Sequence, residues 1–151
     1  MKQSVLLLIF FSAFFVTEAQ DQKRINAFNL EKGIAVQGYD VVAYFDGKAV
    51  KGSSSFAVIH QGVRYHFSTA TNKEEFKKNP ARYEPQYGGW CAYAMGESGE
   101  KVEIDPETFK ILNGKLYLFY NKRFNNTLKT WNKNEPALKP KADANWVKLF
   151  H

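Results

Sequence analysis

The stretch VRYHFSTATNKEEF, Val63 to Phe76, decides the fold. Its first residues alternate apolar and polar side chains, the period of a strand with one buried face, and the rest are polar helix formers closing on an inward Phe76. Ser68 or Thr69 can cap that helix, with Thr71 and Glu74 at capping-box spacing as a slightly later alternative. Asn79 before Pro80 ends it after about two to three turns. His66 stands one residue before the change of structure, and its role is the question the chain poses.

Upstream, SSFAVIHQGVRYHFS reads as a hairpin around Gln61 and Gly62. If His60 pairs with Val63, then Val58 faces Tyr65 and Phe56 faces Phe67 on one apolar face that also carries His60. Ala57, Ile59, Arg64 and His66 fall on the other face, so one ion could not easily take both histidines. Further upstream, GIAVQGYDVVAYFDGKAVKG mixes short apolar runs with glycines and an Asp46-Gly47 turn signal, which predicts short strands and no helix. Downstream, NPARYEPQYGGWCAYAMGESG is a ring-rich loop, and TFKILNGKLYLFY is a hairpin whose Asn113 and Gly114 supply a type I′ turn. Phe124, Leu128 and Trp131 form a helical stripe, Pro136 and Pro140 break it, and DANWVKLF gives a short terminal helix. The order of elements predicts an α+β fold, a small antiparallel sheet of hairpins with inserted and C-terminal helices, in one domain over residues 33–151.

The N-terminus has a different texture. Lys2 precedes an apolar run from Val5 to Val16 that is too short to span a bilayer, and small residues end at Ala19. This is the pattern of a signal peptide over residues 1–19, cleaved after Ala19, and it predicts an exported, periplasmic or secreted protein. Residues 20–32 read as a loosely held, flexible leader. Removing the signal takes away one Lys and one Glu and leaves the +6 formal charge unchanged. The lysines are dispersed and no basic stretch is interleaved with stacking aromatics, so a nucleic-acid partner is not indicated. Cys91 is the single cysteine, which excludes an internal disulfide.

Four stretches, GYDVVAYFDGKAVKGSSSF, YHFSTATNKEEFKKNPARYEPQYGGWCAY, DPETFKILNGKLYL and KADANW, resemble the YHS-domain family, specifically its small exported members. The family's name is spelled by Tyr65, His66 and Ser68. The resemblance implies a treble-clef-like core and binding of a copper or zinc ion, without catalysis. In the cysteine-rich branch of the family, thiols stand at positions that align with Ala43, Ser68 and Asn72, none of which is a thiolate here. His66 and Cys91 are therefore the candidate metal ligands, and Tyr39, Asp40 and Tyr87 the candidates for holding a small molecule.

Two other functions stay open. Cys91 can act as a redox thiol if a cation such as His66 or Arg82 lies near it, although Trp90 and Tyr93 beside it favour burial. The motif residues can instead serve only the core of a structural or interaction domain. Gly88 and Gly89 allow a tight backbone approach or a bound anion, a weak signal by itself. No nucleophile with a neighbouring base, phosphate loop or zincin spacing is present, which disfavours hydrolases and kinases.

Overall fold

A computed structural model describes residues 18–150. Helix α1 covers residues 18–27 and leads into two very short strands, β1 (Leu30–Glu31) and β2 (Ile34–Ala35). After two 3-10 turns come β3 (Ser53–His60) and β4 (Val63–Phe67), then α2 (Ala70–Lys78), α3 (Pro80–Tyr83) and α4 (Ala92–Glu97). The hairpin β5 (Asp105–Leu112) and β6 (Lys115–Phe119) follows, then the tiny pair β7 (Asn121–Lys122) and β8 (Asn125–Asn126), and α5 (Thr127–Phe150) closes the chain. The main sheet has the order β1-β2-β4-β3, while β5-β6 and β7-β8 are separate ribbons. The fold is α+β.

The β3-β4 hairpin adopts the register its alternation dictates from Ala57 onward: His60 pairs with Val63, Val58 with Tyr65, and Ala57 with His66. Phe67 does not meet Phe56, as strict alternation requires. An irregularity between Ser53 and Ala57 shifts the strand by three residues, so that Phe67 pairs with Ser53 instead of Phe56. Ile34 pairs with Arg64 in parallel, the exception to an otherwise antiparallel sheet. Thr69 caps α2 by accepting the Asn72 amide at 3.1 Å, and Phe76, fully buried, packs on Tyr65 and Phe67 at 4.7 and 5.1 Å between ring centres. Burying such a ring is worth about 1.5–3 kcal/mol.

Four expectations are corrected. Residues 20–32 are not a loose leader: most of α1 lies within them, Ala27 and Phe28 are core residues, and the Asn29 amide donates to Gly88 O at 2.9 Å. Their polar character misled because Arg24, the innermost charge, is paired and packed rather than solvated. Most of residues 36–47 is coiled into 3-10 turns at Val36–Gly38 and Ala43–Asp46, and Gly47, at φ 76°, caps the second instead of closing a hairpin. In α5 the interruption falls at Asn134 (φ −143°), so Pro136 sits in the first turn of the resumed helix, where a missing N–H is tolerated. Phe124 precedes the helix and is fully exposed, leaving Trp131 as the buried anchor. The proposed signal sequence lies, up to residue 17, outside the described residues.

Two buried clusters result. One gathers Tyr44, Tyr65, Phe67, Phe76 and Cys91 around the main sheet. The other gathers Tyr87, Met95, Tyr117, Phe119 and Trp131 between α4, β6 and α5.

Candidate functional site

Asp40 has no exposed surface, yet it is the best-connected side chain near the YHS motif. One carboxylate oxygen accepts the backbone amides of Val42 at 2.9 Å and Ala43 at 3.3 Å. The other accepts the Ser68 amide at 2.8 Å, the Ser68 hydroxyl at 2.7 Å and the Asn72 side-chain amide at 2.8 Å. The first pair coils residues 43–46 into their turn. The second set fastens that turn to the end of β4 and the first turn of α2. Ala43, Ser68 and Asn72 are the positions aligned with thiols in the cysteine-rich branch, and here all three converge on one carboxylate.

His66 is half-buried on the outer face of β4, opposite Ala57. Its ring lies against Gly38 and Lys51, and its backbone packs so closely on Gly52 that a Cβ there would come within 2.5 Å of it. Desolvation first, then the charges of Arg64 and Lys51, hold its pKa below the ordinary imidazole value. Beside it, Lys51 sits over the Tyr39 ring at 4.9 Å and donates to Gln37 O. Tyr39 donates its hydroxyl to Glu107 at 3.3 Å, and desolvation followed by the Glu107 charge raises its pKa.

Cys91 is sealed from solvent. Its sulfur accepts the Tyr120 amide at 3.3 Å and lies 3.4 Å from the Thr127 hydroxyl, which itself donates to Tyr120 O at 2.8 Å. Because the Thr127 proton is committed to Tyr120, the thiol is the donor in the sulfur-to-hydroxyl contact, and a closed ring of hydrogen bonds ties the end of β6 to the start of α5. The two candidate metal ligands, His66 and Cys91, therefore lie in different environments: hydrophobic burial carried the cysteine into the core, while strand alternation left the histidine on the outer face.

These residues do not suit a metal ion. A carboxylate offers about four lone-pair directions, and Asp40 already receives five donors. His66 faces two cationic side chains, which repel a further cation. Among the described residues no group of three or more His, Cys, Asp or Glu side chains is arranged to hold a metal, where a structural zinc site needs about four ligands.

Tyr87 leads elsewhere. It has φ 56°, and Gly88 and Gly89 follow at 60° and 85°, a left-handed run that bends the chain sharply before Trp90. Its hydroxyl donates to Asp143 at 2.8 Å, and desolvation first, then this bond, pushes its pKa up. The bend forms one wall of a cavity of about 210 Å³ whose other walls come from α1, α3 and the end of α5. Phe28, Trp146 and Phe150 give it an aromatic side, with Trp146 and Phe150 stacked at 5.4 Å and 12°. Arg24 and Glu84 give it a polar side. Glu84 pairs with Arg24 and accepts the Tyr65 hydroxyl at 2.6 Å. Tyr87 and the glycine pair were candidates from the sequence, whereas Arg24, Glu84 and Trp146, which come from three distant segments, were missed; only the anion-binding potential of Gly88-Gly89 pointed this way.

The sequence model of the YHS domain family matches residues 41–87. That stretch of the chain is a YHS domain; it runs from the residue after Asp40 to the cavity wall at Tyr87 and includes His66, Ser68 and Asn72. Neither the curated proteins nor the solved structures include a match to the chain.

Proposed function

We propose that the protein is an exported, non-catalytic binding module in which the YHS domain is a metal-independent scaffold and the ligand is a small molecule held in the cavity beside Tyr87. One observation carries this reading. The cavity joins an aromatic wall to an ion pair at the place where α1, the end of the YHS domain and the C-terminal helix meet, the mixture of apolar lining and few polar groups that small-molecule sites use. Copper or zinc binding through His66 and Cys91 is disfavoured by their separate environments, and redox work by Cys91 is disfavoured by its burial and its ring of hydrogen bonds. Support for export comes from the apolar run of residues 5–16 and the small residues before Gln20.

Copper and zinc content of protein purified after expression of the full chain, and its melting with and without chelator, test the scaffold. Two-dimensional amide NMR with pools of small metabolites tests the cavity. Far less than one metal ion per chain, an unchanged melt, and shifts clustered on the Gly88 and Gly89 amides and the Trp146 indole support the proposal. A metal ion bound one per chain and lost in His66→Ala or Cys91→Ser would refute it. Export predicts a processed chain beginning at Gln20 in the exported fraction, and an unprocessed cytosolic chain would remove that part.

A further inference from the structure

The chemistry of the cavity narrows its ligand, on the reading that the cavity is the binding site. We infer that it takes a small monoanion with a flat apolar body, an aromatic or arylalkyl carboxylate. Arg24 supplies the first reason. Its side chain is only 13% exposed, its guanidinium lies 4.4 Å over the Phe28 ring and pairs with Glu84, and its Nε is buried without a hydrogen-bond partner. A buried N–H donor of a charged group with no acceptor is unfavourable, and a ligand oxygen that displaces the side chains sealing Nε from the cavity removes the defect. An acceptor that is itself ionised makes the stronger bond.

Charge sets the valence. Glu84 balances one cation, and Lys23, 5.8 Å from the centre of the Phe150 ring, adds a second at the same wall. Asp143, the partner of Tyr87, is also paired with Lys139 at 2.7 Å. The balance of Arg24, Lys23 and Glu84 is one positive charge, which suits a monoanion and disfavours an amine. Shape sets the body. Phe28 tilts against Trp146 at 6.1 Å, and Trp146 stacks on Phe150, so the apolar side is built of ring faces and edges. Gly88 lets the backbone close on them: a Cβ there would fall 2.7 Å from Trp146 and 2.9 Å from Phe28. At about 210 Å³ the space is smaller than the roughly 300–1,000 Å³ of drug-sized pockets, which excludes a nucleotide and admits a single-ring acid.

The experiment uses three probes of one shape: 3-phenylpropionate, its neutral amide, and phenethylamine. Each is titrated into the protein while the Nε–H signals of the four arginines are followed by NMR, with Arg24→Gln assigning that of Arg24. The carboxylate is expected to bind in the millimolar range and to move the Arg24 signal, the amide to bind about tenfold more weakly, and the amine not to bind. Arg24→Gln should erase the difference between acid and amide. Equal binding of acid, amide and amine, or an Arg24 signal that stays fixed while the acid binds, overturns the ligand class and leaves the cavity as a binding site. No binding of any probe up to about 10 mM, with no shift at Gly88 or Trp146, overturns both. If Arg24→Gln fails to fold, replacing the other three arginines one at a time by Lys assigns the Arg24 signal by elimination, and its response in the unmodified protein decides.

Discussion

Replacing Asp40 by Asn and by Ala separates a hydrogen-bond hub from a merely buried polar residue. The amide of Asp40→Asn keeps one oxygen, which goes on accepting the Val42 and Ala43 amides, but turns an NH₂ toward the Ser68 amide, the Ser68 hydroxyl and the Asn72 side chain. The hydroxyl can rotate to accept and the Asn72 amide can flip, whereas the Ser68 backbone N–H has no alternative. That N–H then faces an NH₂ where it had an acceptor, at about 1–3 kcal/mol. Asp40→Ala leaves all five donors without their acceptor. Ser68 and Asn72 are partly exposed and recover water, but Val42 and Ala43 are buried, so two orphaned donors set a loss of roughly 2–6 kcal/mol. Urea denaturation followed by tryptophan fluorescence and circular dichroism measures both, provided the slope with denaturant is unchanged. Equal losses for the two variants, or a loss below about 0.5 kcal/mol for Asp40→Asn, would refute the hub.

Cys91 in the native protein is expected to react with a thiol reagent only as fast as the chain opens, so labelling should accelerate with urea in step with unfolding; prompt labelling in buffer would contradict its burial. His66 gives a pH dependence of fixed sign. Its folded pKa lies below the unfolded value of about 6.5, so the unfolded chain binds more protons, and stability held above that pH is lost as the pH falls from about 6.5 through the folded pKa. His66→Gln should flatten the fall in urea midpoint between about pH 7 and 5, before the depressed carboxyls of Glu74, Glu75 and Glu135 begin to titrate. A slope unchanged by the substitution sinks that account.

Local rules made several elements legible. Alternation gave the β3-β4 pairing from Ala57 to Val63 because its period of two leaves little freedom once one face is buried. Asn113-Gly114 gave the β5-β6 turn, both residues having the positive φ it needs, 50° and 71°. Thr69 and Asn79 bounded α2, since a cap and a proline act within a few residues. The bulge after Ser53 and the helix over residues 18–27 were not legible, because each depends on partners in distant segments or on the opposite strand.

For the site, the sequence by itself determined the residue types, a YHS motif without its thiols, a solitary cysteine and a bend at Gly88-Gly89. Only the tertiary structure decided where they went. It buried the Asp40 carboxylate under its donors, drew Cys91 inward away from His66, and set Arg24 against Glu84 and Trp146. Hydrogen-bond satisfaction and burial are properties of the assembled chain, because a donor finds its acceptor only when distant segments close on one another, and no spacing along the sequence encodes that closure.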